Sequence, residues 1–315
     1  MLKWNKKGFI FKPDGLRPWM RTHAQVPYTL ELNDVVRTYF STREEIDKIG
    51  LFRSYSGYVD LDKNDLRKVV AISESPILSL GGKGEFDEFG SMAGSVIFNE
   101  GKYYLYYCGW TRCESVPYNW AIGVATSDDA KTFKRNNNGP LLGPSTNEPY
   151  LQACPIVYKL SHKEWHMFYL SGVKWFMHSG KAESQYLLMH AQSQNGLDWV
   201  RNGKAIIPQV VPDECQTSAS MFVMDDKYHL LFSYRHGADF RQNPLKGYRI
   251  GYASSYDLVN WDRDDSKAGL DISESGWDSE MVAYPHVFDL NGRKHMFYSG
   301  NYFGKEGFGW ATLET

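Results

Sequence analysis

Apolar and aromatic residues along this chain come in short paired runs, separated by Asn, Asp, Gly and Lys, and almost never in a helical rhythm. Four pairs stand out: Ser95-Val-Ile-Phe with Tyr103-Tyr-Leu-Tyr-Tyr, Pro155-Ile-Val-Tyr with Trp165-His-Met-Phe-Tyr, Met221-Phe-Val with Tyr228-His-Leu-Leu-Phe, and Pro285-His-Val-Phe with His295-Met-Phe-Tyr. A weaker fifth is Pro27-Tyr-Thr-Leu with Val35-Val-Arg-Thr-Tyr-Phe. Runs of β-branched and aromatic residues bounded by turn formers predict antiparallel hairpins. Thr42 to Ile49 is the one stretch that reads as a helical turn or two.

A second phrase follows three of these pairs: Ala-x-Ser-x-Asp/Asn-x-x-x-Trp/Phe-x-Arg. It occurs at Ala125, Ser127, Asp129, Phe133 and Arg135, at Ala191, Ser193, Asn195, Trp199 and Arg201, and at Ala253, Ser255, Asp257, Trp261 and Arg263. The copies are 66 and 62 residues apart, the mark of a repeat architecture. Five units of about four strands predict an all-β fold, a five-bladed β-propeller with four-stranded antiparallel blades. A linear β-solenoid is the competing architecture. The fifth unit stops at Phe308-Gly-Trp-Ala-Thr-Leu without its outermost strand, and Trp4-Asn-Lys6-Lys-Gly8 matches Trp199-Val-Arg201-Asn-Gly203. The N-terminal strand is therefore expected to close the last blade and remove the open edges. One domain, 1–315, is expected, with approximate blades at 14–85, 86–147, 148–212, 213–277, and 278–315 plus 1–13.

Composition narrows the partners. A net charge of −2 gives no reason to expect nucleic acid or an anionic membrane, and no apolar run approaches the ~20 residues of a membrane span. No secretory leader pattern precedes Trp4, so a cytoplasmic protein is expected. Cys108, Cys113, Cys154 and Cys215 sit in different units without metal-ligand spacing and read as buried thiols, with no metal and no cofactor expected. Gly81-Gly-Lys-Gly84 lacks the spacing of a phosphate loop and reads as a flexible turn.

In a radial repeat the segments before each first strand and after each second strand meet at one axial mouth. With Pro27, Gly94, Pro155, Ala219 and Pro285 in register, the segments ahead of them bring Arg21, His23 and Gln25, then Asp87 and Glu88, Glu148, Glu214, and Asp278 and Glu280 to that rim. Glu214 and Glu280 each stand five residues ahead of their register position. The second-strand exits add Trp110 and Arg112, Arg235 and His236, and Asn301. Paired acids of this kind are what glycoside cleavage uses, one protonating the leaving oxygen and the other attacking or activating water. Flat aromatic rings suit the apolar face of a sugar, and arginine and asparagine suit its hydroxyls or a phosphate. Asp129, Asn195 and Asp257 read as turn residues, and Arg135, Arg201 and Arg263 as scaffold. His166, His229 and His295 recur at one strand position and read as packing between blades.

These features resemble the five-bladed propeller superfamily of furanosidase-type glycoside hydrolases, families 32, 43, 62, 68, 117 and 130, over nearly the whole chain. The chain is most similar to a glycosidase-like subgroup with His23-Ala-Gln25-Val-Pro27 in the first blade and Trp277-Asp278-Ser-Glu280-Met in the fifth. Glu214-Cys215 is similar to the Glu-Cys pair of family 32, which implies Glu214 as proton donor. Families 32 and 43 place an aspartate directly before the blade proline; Val26, Ala93, Cys154, Ser218 and Tyr284 stand there instead. A partner for Glu214 must come from Glu280, Asp278, Asp87 or Glu88. The leading expectation is a glycoside hydrolase acting on an oligo- or polysaccharide, with Glu214 as acid and Glu280 or Asp87 as base or nucleophile. Arg21, His23, Gln25, Glu88, Trp110, Arg112, Glu148, Arg235, His236, Asp278, Tyr284 and Asn301 would bind the substrate. A phosphorylase or glycosyltransferase, using phosphate or an activated sugar, and a non-catalytic carbohydrate-binding propeller are the alternatives.

Overall fold

The computed structural model describes residues 1–46 and 52–314. Strand β1 (Trp4–Phe11) is followed by β2 (Thr22–Glu31), β3 (Val35–Arg43), β4 (Ser54–Asp62) and the short β5 (Val69–Ile72). Next come β6 (Gly90–Asn99), β7 (Lys102–Thr111), β8 (Asn119–Ser127) and β9 (Lys134–Arg135), then β10 (Gln152–Ser161), β11 (Glu164–His178), β12 (Lys181–Ser193) and β13 (Trp199–Ala205). The chain continues with β14 (Cys215–Met224), β15 (Lys227–Arg235), β16 (Arg249–Ser255) and β17 (Asp262–Arg263), and ends with β18 (Ala283–Leu290), β19 (Arg293–Ser299) and β20 (Phe308–Leu313).

Each run of strands is an antiparallel meander. β10–β13 and β14–β17 form separate four-stranded sheets; β2–β5 and β6–β9 are joined only by one parallel bridge, Ser54 to Gly90. The remaining sheet has the order β1-β20-β19-β18, with Trp4 opposite Leu313 and Phe11 opposite Phe308, so the first strand closes the last group as its sequence match implies. First strands β2, β6, β10, β14 and β18 pack each against the next, and β18 packs back against β2. The expected helical turn from Thr42 is corrected. Thr42 and Arg43 finish β3, paired with Tyr55 and Ser54, and Glu44–Ile46 are irregular. Residues 47–49 of that stretch lie outside the described residues.

The core lies in the seams between neighbouring sheets. Tyr39 meets Val96, Leu105 and Tyr107 in one seam, Tyr106 and Ile122 meet Val157 and Met167 in the next, and Phe168 and Leu188 meet Leu230 and Phe232 in the third. Phe222 and Leu231 then meet Val287 and Met296, and Phe297 and Phe308 meet Phe40 and Val59. Each large apolar side chain buried this way contributes about 1.5–3 kcal/mol, so the sheets are held by side chains rather than by shared ladders.

The Ala-x-Ser phrase builds the turn that feeds those seams. Ser127 Oγ accepts the Ala130 N–H at 3.0 Å, and Asp129 Oδ1 accepts those of Lys131 and Thr132 at 2.8 and 3.0 Å. Ser193 with Asn195, and Ser255 with Asp257, repeat the pattern. The fourth turn residue is left-handed in all three copies: Ala130 (φ 59°), Gly196 (φ 76°) and Leu258 (φ 63°). In two copies its carbonyl accepts a tyrosine hydroxyl from the preceding sheet, Tyr39 at 2.7 Å and Tyr106 at 2.9 Å. The recurrent histidines pack within their own sheets, which corrects the expectation of packing between them. His166 stacks on His190, His229 on Phe222, and His295 between Phe288 and Trp310.

Candidate functional site

The first strands share a distortion that faces the axis. In each, the pairing with the second strand slips by a residue, between Gln25 and Tyr28, Ala93 and Val96, Ala153 and Ile156, Thr217 and Ser220, and Ala283 and His286. Val26 (φ 52°), Cys154 (φ 50°), Ser218 (φ 50°) and Tyr284 (φ 56°) take left-handed backbone at the slip. A non-glycine residue held there costs about 1–3 kcal/mol, and bulges of this sort re-aim side chains next to sites. Val26, Cys154 and Tyr284, at positions where the resemblance would put aspartates, line an axial cavity of about 370 Å³.

The cavity walls are aromatic and cationic. Phe52, Trp110, Trp120, Tyr186, Phe240 and Tyr248 are among the rings that face it, and Tyr118 stacks on Trp120 at 4.4 Å and 11°. Arg43, Arg235 and Arg241 supply the charge, and no Asp or Glu lines the cavity among the described residues. Arg43 Nη2 donates to Gln25 Oε1 at 3.2 Å; burial and the neighbouring Arg241 push its pKa down to about 10. Tyr186 and Tyr248 join hydroxyl to hydroxyl at 2.6 Å, and burial holds both, with Tyr284, above the ordinary tyrosine range. Arg241 is paired with Glu183.

The anticipated carboxylates are elsewhere, in a repeated clasp beneath the rim. Asp87 Oδ2 accepts from Tyr107 Oη at 2.9 Å and Arg135 Nε at 2.7 Å. Glu148 accepts from Tyr169 at 2.9 Å and from Arg201 at 3.4 Å. Asp278 accepts from Tyr298 at 3.0 Å and from Lys6 at 2.7 Å. Glu214 accepts from Arg263 at 2.6 Å, from Gln216 at 2.8 Å and from the N–H groups of Val210 and Val211. All four are buried, Asp87 and Glu214 with no exposed surface. Glu214 and Asp87, expected as catalytic acids, are each paired with the basic residue that ends the repeated phrase, and neither lines the cavity. Glu148 and Asp278, expected to bind substrate, are paired with Arg201 and Lys6 and lie outside the cavity lining.

Of the other anticipated site residues, Gln25, Trp110, Arg235 and Tyr284 do line the cavity. Glu280 does not, but it lines an adjoining recess that shares Phe240, Arg241 and Phe303 with it. The rest lie outside the cavity lining. Arg21 donates to the Gly15 carbonyl; Arg112 donates to the Phe52 carbonyl and stacks on Phe89; Glu88 accepts the Gly84 N–H. His23 is buried with left-handed backbone (φ 68°), its pKa pushed down to about 2 by burial and then by Arg43. His236 N–H donates to the Lys246 carbonyl, and Asn301 Oδ1 accepts the N–H groups of Glu280 and Met281. Reading from sequence missed Arg241, Tyr118, Trp120, Tyr186, Phe240, Tyr248 and Phe303 as cavity residues. Tyr118, Trp120 and Tyr248 sit at the starts of third strands, a rim segment that the register argument left out. Cys108 and Cys215 are buried as expected, while Cys113 is exposed; all four thiols are free, and no metal-binding cluster occurs among the described residues.

No family model matches the chain. Two curated relatives from Mycobacterium tuberculosis, "Uncharacterized protein MT1551" of strain CDC 1551 and "Uncharacterized protein Rv1502" of strain H37Rv, are each 32% identical over 314 residues, 99% of this chain and 100% of theirs. Among solved structures, one described as a glycoside hydrolase superposes with a TM-score of 0.76 at 18% identity, covering 99% of this chain and 92% of that one. A thermostable family-43 glycoside hydrolase gives 0.64 at 16%, covering 94% and 90%. The endo-arabinase of Bacteroides thetaiotaomicron gives 0.61 at 14%, covering 98% of each. At such identities these likenesses are of fold. The chain belongs to the family of the two mycobacterial proteins, and its fold is a propeller like that of these glycoside hydrolase structures.

Proposed function

We propose that this protein is a glycan-active enzyme of the glycosidase type, holding a sugar in the axial cavity with Glu280 as its acid. The observation that carries this is the cavity wall. Flat rings offer stacking surfaces for the apolar face of a pyranose or furanose, while Gln25, Thr217 and Arg235 offer hydrogen-bonding groups beside them. The volume of about 370 Å³ falls in the range of small-molecule sites. The glycoside hydrolase and arabinase descriptions of the fold neighbours support the same ligand class.

Glu280 is half-buried, and its Oε1 accepts from Tyr302 Oη at 3.3 Å. As acid it would give its proton to the glycosidic oxygen while that oxygen leaves the anomeric carbon, and an acceptor hydroxyl or water would form the new bond. Hydrolysis by two carboxylates needs both acids around one bond, roughly 5–9.5 Å apart. The clasped Asp87, Glu148, Glu214 and Asp278 do not provide the second, which favours a second reading, carbohydrate binding without turnover.

The test is a glycan array followed by turnover assays on whatever binds. Glu280→Gln is expected to lower kcat by about 10²–10⁴ while leaving the dissociation constant and melting temperature near those of the parent. Undiminished turnover in that variant removes Glu280 from the mechanism. Binding with no turnover by the parent protein selects the second reading.

A further inference from the structure

The buried basic side chains of the sheets are compensated in a uniform way. Arg37 pairs with Asp60, Arg135 with Asp87, Arg201 with Glu148, and Arg263 with Glu214 and Asp265. Arg235 departs from this pattern. It is only 5% exposed, and no carboxylate lies within ion-pair reach among the described residues. Its Nη1 donates to the His236 carbonyl at 2.8 Å and its Nη2 to Tyr186 Oη at 2.9 Å, while Nε is buried with no acceptor. Phe240 lies against the guanidinium at 3.4 Å, with Tyr186 and Tyr248 each at 5.4 Å. Ring faces attract the cation through their quadrupoles, but no negative charge stands beside it to replace the water it has lost. The aromatic box therefore offsets only part of the burial, in a cavity that Arg235 itself lines.

Its neighbours point the same way. Arg43 lines the same cavity, and its Nε is likewise buried without an acceptor. Arg241 lines it too; although paired with Glu183, it lies near enough to Arg43 to disfavour the charge there. Like charges gathered in an aromatic chamber are stabilised by an anion, and a guanidinium presents donors in a fork that fits an oxyanion. From this arrangement we infer that Arg235, flanked by Arg43 and Arg241, receives an oxyanion. The carbohydrate ligand is accordingly an acidic one, carrying a carboxylate, phosphate or sulfate, or is accompanied by free phosphate. The inference rests on the carbohydrate reading for the ligand class, but the anion site stands on Arg235 alone.

The experiment has two arms. In the first, an array pairs neutral oligosaccharides with uronate-, phosphate- and sulfate-bearing counterparts. The acidic members are expected to bind at least about tenfold more tightly than their neutral partners, roughly 1.4 kcal/mol. Arg235→Gln should erase that preference, and Arg235→Lys should restore part of it, with melting temperatures confirming that both variants fold. In the second arm, inorganic phosphate alone is titrated while the melting temperature is followed. An Arg235-dependent rise without discrimination among glycans assigns the oxyanion to free phosphate. Neutral and acidic glycans bound equally, with no phosphate effect, overturn the inference and leave the carbohydrate reading intact. No glycan bound by the folded protein removes the carbohydrate reading, and the phosphate arm then decides the anion site alone.

Discussion

Arg135, Arg201, Arg263 and Lys6 each lie on the outermost strand of their sheet and each neutralise a carboxylate about 50 residues or more away in sequence, which makes them the fasteners of the propeller. Removing one side of a buried pair strands the other charge, at about 3–5 kcal/mol. Arg135→Ala should therefore destabilise by that much in chemical denaturation, and the double variant Asp87→Asn/Arg135→Met should recover part of the loss. Glu214→Gln, which keeps shape but not charge, should lower stability by about 1–3 kcal/mol. If Glu214 did face a substrate, the same change would leave melting untouched and abolish turnover. Both halves of the clasp were visible in the sequence, the acids as a rim and the arginines as scaffold. Their union was not, because it depends on which way each acid turns after a loop of no fixed pattern. Glu280 escapes the clasp because Asp278, two residues before it, occupies the place beside Tyr298 and Lys6.

The three phrase turns are the most sequence-legible elements, since the Ser and Asx side chains that form them bond to groups three residues away or fewer. Ser127→Ala leaves the Asp129 and Ala130 N–H groups without their acceptor and should cost about 1–3 kcal/mol. Ser193→Ala and Ser255→Ala should cost similar amounts, and urea midpoints of the three variants would show whether the copies are equivalent. The axial slips were not legible. Nothing in Val26-Pro27, Cys154-Pro155 or Tyr284-Pro285 announces left-handed backbone, because a following proline biases its predecessor toward extended backbone instead. The slip arises from bringing first strands around a common axis, so it is a property of the assembled sheets. That is also why the aromatic lining was only half anticipated: the third-strand starts reach the mouth after the sheets have curved inward.

For the molecule as a whole, acid should loosen the fold well before its carboxylates titrate. Burial holds the pKa of His286 at about 3 and that of His23 at about 2, so both stay neutral in the folded chain. The unfolded chain protonates them near pH 6.5. Between that pH and the folded values the unfolded state binds more protons, so stability falls as pH falls. Each group subtracts about 2 kcal/mol by pH 5. Urea midpoints at pH 7 and pH 5 would reveal the slope, and His286→Gln should flatten it. His286 Nε2 lies 2.8 Å from Thr29 Oγ1, so the loss falls on the seam between β18 and β2. Removing residues 1–13 should expose β20 and convert the protein to an aggregating species by light scattering. The repeat and its closing strand were readable because each copy had to solve the same packing problem. The pairing of Trp4 with Leu313 also bears on biosynthesis. Strand β1 has no ladder partner until β20, at the other end of the fold, has been synthesised. The intervening meanders can form in order during translation, but the ring closes only once β20 has emerged, and a chain stalled before that point leaves β1 available to any chaperone or neighbouring nascent chain.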